Sequence, residues 1–177
     1  LVGSEMCIRD SLKTVFYFNR SKIDTFKGIR QGLLMIIPAL LGYYFGFFSF
    51  GLLIATGTLA HIYVFKGSSQ SMIRTVVLCS LAFAVCMILG TLTAAQPLIF
   101  GILLLVVTVV PFYIFTALKI AGPSSTFFIV TFCLPMNLPI APDQALVRGL
   151  GILIGGAFAT LVVIPVSYTH LTLPTNR

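Results

Sequence analysis

Four side chains could do chemistry in an otherwise hydrocarbon-rich chain: His61, Arg74, Asn137 and Arg148. His61 lies in the apolar run 50–65, FGLLIATGTLAHIYVF. An ionisable residue at membrane depth is by default a functional hypothesis, and an imidazole can carry a coupling proton near neutral pH. The competing reading is an interfacial or hydrogen-bonded structural histidine. Arg74 opens the next apolar run. Its guanidinium could grip an organic carboxylate with two parallel hydrogen bonds, or reach back to a lipid phosphate. Arg148 opens a later apolar run in the same way, with Asp143 five residues before it as a neutralising partner. Asn137 sits in the interrupted stretch 135–142, PMNLPIAP. Together these residues suit the binding of a small organic anion.

The remaining polar residues are weaker signals. Gln31, Thr56, Thr58, Gln70, Gln96, Ser124, Ser125, Thr126 and Thr131 could line a polar path, but hydrogen bonds between helices account for most such groups. Paired carboxylates, a Ser/His/Asp set and HExxH are all missing, so an enzyme is not expected. Cys7, Cys79, Cys86 and Cys133 have neither CxxC spacing nor a nearby histidine, and read as small core residues. No metal or other cofactor is expected, and there is no P-loop.

The elements that must hold these residues are membrane helices. Of the 177 residues 58% are apolar and 8% charged, against roughly 25% charged in soluble domains. The mean hydropathy is +1.08. The net charge of +7 comes from basic residues beside apolar spans, where they orient the chain and touch lipid head groups rather than nucleic acid. The run 75–92 holds eighteen residues without a charge. That nearly suffices for a helix to cross a ~30 Å hydrocarbon core. A lone strand cannot cross, because its edge has no backbone partners in lipid.

The chain therefore reads as an all-α polytopic membrane bundle of six transmembrane helices. Residues 1–11 and 166–177 do not match the middle: MCIRDS and SYTHLTLPT resemble translated sequencing-adapter peptides, and both ends are set aside from fold reasoning. Residues 12–28 form a basic cytoplasmic or interfacial segment. Residues 29–165 hold the spans, at about 29–48, 50–65, 72–92, 97–118, 123–134 and 145–164. Pro38 interrupts the first, and Gly42 and Gly46 make a GxxxG that permits close approach. Pro97 opens the fourth, which Pro111 is expected to kink. Lys66, Arg74, Lys119 and the basic N-terminal segment fall on one side, so both ends of the block are cytoplasmic. The turns 47–51 and 93–96 are external.

Spans two and three can be laid on spans five and six with a shift of 74, which puts Gln70 on Gln144, Arg74 on Arg148 and His61 on Pro135. The copies are offset by three spans, so the repeat is inverted, as in many secondary transporters, where short or broken spans point to the substrate site.

The openings SMIRTVVLCSLAFAVCMILG and VRGLGILIGGAFA, with the six-span block around them, resemble the fusaric acid resistance family, the aromatic acid exporter-like proteins of bacteria. The resemblance covers about residues 27–165. It implies a fragment of an inner-membrane efflux transporter for aromatic or other amphipathic organic acids, driven by the proton gradient. It also implies a soluble cytoplasmic domain or a second block elsewhere in the whole protein. Many members carry a tryptophan near the position of His61, whereas this chain has none. The alternatives are a non-transporting membrane module that anchors or assembles a soluble partner, and a channel-like subunit. Beyond the lipid bilayer and the organic anion, a second copy of the chain is left open as a partner.

Overall fold

The computed structural model describes residues 25–63, 69–117 and 125–171, with side chains described as far as Val162. Residues 1–30 and 31–177 form two compact units. The basic segment 12–24, Lys66, Lys119 and residues 172–177 lie outside the described residues. Among the described residues every regular element is helical. Helix α1 spans Thr25–Tyr44 and α2 spans Phe48–Gly57, which tightens into a 3₁₀ helix over Thr58–Tyr63. Helix α3 spans Ser69–Thr93 and α4 spans Pro97–Ala117. Helix α5 spans only Thr126–Cys133 before a 3₁₀ turn at Leu134–Asn137. A second 3₁₀ turn at Pro142–Gln144 leads into α6, Ala145–Leu171.

Among the described residues, three stretches are long and apolar enough to cross a membrane: Gln70–Thr93, Pro97–Ala117 and Pro142–Val162. Two apolar helical stretches, Phe48–Tyr63 and Thr126–Asn137, are shorter. The sequence expectation of six full spans is thus met in length and apolarity by three helices. The shortfall has a local cause in α5. Pro135 follows its last turn, and Pro139 and Pro142 lack the amide hydrogen a continuing helix would need.

The turn between α1 and α2 shows how the chain reverses without a charge. Gly46 adopts φ +77°, its amide donates to Tyr43 O at 3.2 Å, and the Phe47 amide donates to Gly42 O at 2.8 Å. This is a Schellman stop, in which glycine supplies the left-handed residue. The expected GxxxG therefore divides: Gly46 ends the helix, while Gly42 packs against Gly51 of α2, where an added Cβ would lie 2.7 Å from the Gly51 Cα.

Helices α3 and α6 form the centre and make the most extensive contact in the molecule. They run antiparallel: Gly156 lies on Ser80, and seven residues earlier Gly149 lies on Ile88. Helix α2 runs parallel to α6, since Gly151 meets Phe50 and Leu53 while Gly155 meets Ile54 and Gly57. A Cβ on Gly57 or Gly155 would collide with the carbonyls of Ile152 or Ile54, so glycine sets the backbone separation. The glycine spacing of α6 explains its two partners. Positions 149 and 156 are two turns apart and face α3, whereas 151 and 155, on another face, serve α2.

The second short helix repeats this arrangement. Helix α5 runs parallel to α3, because Phe128 stacks on Phe83 at 4.8 Å and Phe132 and Pro135 meet Gly90 further along. Each short helix thus lies parallel to the long helix of the other half, and the two long helices oppose each other. That is the arrangement an inverted pair requires.

Around the centre, α4 buries a single stripe, Phe100, Val107 and Phe115. Most of its other large side chains, including Leu98, Ile102, Leu105, Val109 and Phe112, are exposed, as hydrocarbon-facing residues must be. Tyr63 is fully buried within Phe83, Phe115, Phe127 and Phe128. Centroid distances of 5.2–6.2 Å join the end of α2 to three other helices. Cys79 and Cys86 are buried free thiols, as expected for small core residues.

Candidate functional site

Three of the hydroxyls assigned to a polar path or to interhelical bonds go elsewhere. Thr56 donates to Leu52 O, Thr58 to Ala55 O and Thr131 to Phe127 O, each within its own helix. Ser80, Thr91, Thr108 and Thr160 do the same. A β-hydroxyl can reach the carbonyl one turn back, which satisfies it without a partner helix. The polar groups left for chemistry are therefore few.

His61 is buried, at 5% exposure, in the 3₁₀ turn after α2. Its Nδ1 lies 3.2 Å from Gln31 Oε1 on α1. The contact pairs the imidazole with a side-chain amide, and which of the two donates is set by the ring tautomer. The Gln31 amide nitrogen is buried without a hydrogen-bond partner. Gln31, first read as one of several path residues, is thus the residue that orients His61. In sequence the two are thirty residues apart, and no local pattern joins them.

Arg148 is also buried at 5%. A helical side chain leans toward the helix N-terminus, which carries this guanidinium out of the first turn of α6 to the preceding loop. Its Nη2 donates to Pro139 O at 2.8 Å. Its Nη1 is buried and has no hydrogen-bond partner. The expected pairing with Asp143 does not form: Asp143 is exposed in the 3₁₀ turn before α6, and the guanidinium goes to the loop carbonyl instead. Arg74 is exposed at the opening of α3, and Asn137 is exposed at the end of its 3₁₀ turn. Exposure fits the lipid-reaching reading of Arg74.

These residues fall into two groups rather than around one cavity. Gly57 is level with Gly155, His61 lies four residues beyond Gly57, and Arg148 lies seven residues before Gly155. At ~1.5–2 Å per residue His61 and Arg148 stand roughly 18 Å apart along the bundle. Arg74 lies sixteen residues from Gly90, which touches the broken end of α5, or roughly 24 Å along α3. The structure thus sets His61 and Arg74 at one end, and Arg148 and the broken end of α5 at the other.

A groove of about 440 Å³ opens between α1, α2 and α6, lined by Ile37, Pro38, Leu41, Phe45, Phe50 and Phe158 among others. Every one of its lining side chains is apolar, and none of the four candidate residues reaches it. Among the described residues no group of three or more histidines, cysteines and acids could hold a metal ion.

No protein-family model matches the chain, and no solved structure matches it. The chain is 29% identical over 148 residues to the uncharacterized membrane protein YvaC of Bacillus subtilis (strain 168), an alignment covering 84% of this chain. The chain spans only about a quarter of that relative's length, 24%. The likeness and the three long apolar helices agree on a helical protein of the membrane.

Proposed function

We propose that this block is the membrane part of a bacterial inner-membrane efflux transporter for aromatic or other amphipathic organic acids, driven by protons. In this reading all six helices are membrane-inserted, α2 and α5 as short, broken elements, and both ends of the block face the cytoplasm. One observation carries it. The two short helices each lie parallel to the long helix of the other half, on either side of the antiparallel α3–α6 pair. Inverted pairs with broken helices are the architecture of secondary transporters, which rock one half against the other. The resemblance of the openings of α3 and α6 to the fusaric acid resistance family supports the substrate class. His61, held by Gln31, is the proton carrier of this reading. It enters the cycle at the end remote from Arg148.

The test is accumulation of radiolabelled benzoate in cells carrying the full-length protein. Lower accumulation than in vector controls, abolished by a protonophore, is expected. Equal accumulation with and without the protein, across a panel of aromatic acids, removes the reading. The topology is checked with single cysteines in place of Gln70 and Gln96 in a cysteine-free background, which should label from opposite sides of the membrane.

The chain's coverage of only a quarter of its relative favours a second reading, an anchor that holds a larger protein at the membrane. An anchor predicts that the rest of the protein leaves the membrane fraction when this block is deleted, with no change in benzoate accumulation.

A further inference from the structure

We propose that the opening of α6 is an oxyanion site in which Arg148 receives the carboxylate of a small amphipathic acid. The inference deepens the transport reading and rests on it for the ligand class.

Arg148 is the one described residue that couples deep burial with an unsatisfied cationic donor. Its Nη2 is fixed on Pro139 O at 2.8 Å, while Nη1 is buried with no partner. The carbonyl holds the guanidinium in place but does not neutralise it. Asp143 is the only acid among the described residues, and it is exposed. The described chain therefore supplies no counter-ion, and an anion from outside completes the charge. The long helix α6 adds to this, because its first turn carries the positive end of the helix dipole. A guanidinium already anchored by one nitrogen presents the other as a preorganised donor to a planar carboxylate. Around it in sequence, Ile140, Leu146 and Val147 are exposed and apolar, suited to the hydrocarbon body of the same ligand.

A carboxylate and a lipid phosphate share this chemistry, so the test must separate them. The chain has no tryptophan, which allows a single reporter, Ile140→Trp, in the full-length protein. The protein is reconstituted in phosphatidylcholine vesicles and titrated with 4-nitrobenzoate, which quenches tryptophan. Saturable quenching is expected, weakened at least about tenfold by Arg148→Gln, which removes a charged hydrogen bond. It should be absent with the neutral methyl ester. Arg148→Lys retains the charge but not the planar group that holds Pro139 O and the carboxylate at once, and should bind several-fold more weakly, which keeps the test open if the Gln variant does not fold. Equal quenching by the acid and its ester, or unchanged affinity in either variant, overturns the proposal. So does anionic lipid retained by the wild type but not by Arg148→Gln in native mass spectrometry, with no nitrobenzoate quenching, because the site then holds a head group. Arg148-dependent binding without benzoate export in cells keeps the site and removes the transport reading. Export without such binding does the reverse.

Discussion

The openings of α3 and α6 each place an arginine four positions after a glutamine, yet one arginine is exposed and the other buried. Gln70 and Gln144 precede Arg74 and Arg148 by the same four positions. At α6 the proline-interrupted segment 134–144 turns back over the first turn and offers the Pro139 carbonyl to Arg148. Proline leaves its carbonyl free while giving no amide of its own, so a loop built on Pro135, Pro139 and Pro142 is well suited to accept from a guanidinium. The same residue type at positions related by the shift of 74 thus sits in two different environments. Symmetry of sequence is not symmetry of site.

The largest expected effect tests whether the two halves are packed alike. Gly57→Val should collide with the Ile152 carbonyl at the α2–α6 crossing, and Gly90→Val with the Phe132 carbonyl at the α3–α5 crossing. In both cases the obstacle is backbone, which cannot rotate away, so each variant should lose at least ~1–3 kcal/mol. Monodisperse yield and thermal midpoint in detergent measure this. If Gly90→Val alone is tolerated, the two crossings are not equivalent and the inverted pairing is weaker than drawn. Gly101, with open space around its Cβ position, serves as the control, and Gly101→Ala should leave the midpoint at or above the wild-type value.

A smaller effect separates the two arginines. Arg148→Met removes a buried charge with no counter-ion among the described residues but orphans the Pro139 carbonyl. The two changes oppose, and stability should stay within about 1 kcal/mol of wild type. Arg74→Met changes an exposed position and should fall within ~0.5 kcal/mol. The contrast lies in binding: nitrobenzoate quenching should vanish with Arg148→Met and persist with Arg74→Met. Loss in both variants would mean that the exposed arginine also reaches the ligand. A strong destabilisation by Arg148→Met would mark it as structural.

Much of this fold was legible because lipid permits so few backbone solutions. The starts of α4 at Pro97 and of α6 at Ala145 match the sequence reading to the residue, and the break after α5 follows from three prolines. That α6 packs closely on two partners could be foreseen only by sorting its glycines by face. Less visible were features that depend on distant pairs. Gln31 was one polar residue among many until the fold set it on His61. Asp143 looked like the partner of Arg148 because it is near in sequence, but the 3₁₀ turn leaves it exposed while the loop carbonyl sits closer. The expected single cavity failed for a geometric reason. Arg74 opens α3, the broken end of α5 packs near the far end of the same helix, and a helix of 25 residues keeps the two apart.

The smallest effect concerns the His61–Gln31 pair, which has no counterpart at the other end, where the shift of 74 puts Pro135 on His61. Removing either partner takes this hydrogen bond from the other. His61→Phe and Gln31→Leu should each cost about 1 kcal/mol. The double variant should cost less than the sum, because no polar group is then stranded. Buried hydrogen bonds in membrane proteins couple by about 0.6 kcal/mol on average, so a double-mutant cycle on the thermal midpoint should give a value of that order. A coupling of zero would mean that the pair does not interact in the folded protein. The cycle also bears on proton coupling. A charged imidazole donates from both ring nitrogens, so it can keep the contact with Gln31 Oε1 through Nδ1. Gln31→Glu would then place a carboxylate on Nδ1–H and favour the charged ring. Export driven through His61 should shift its pH dependence upward in that variant, while an export profile unmoved by Gln31→Glu would take His61 out of the coupling path.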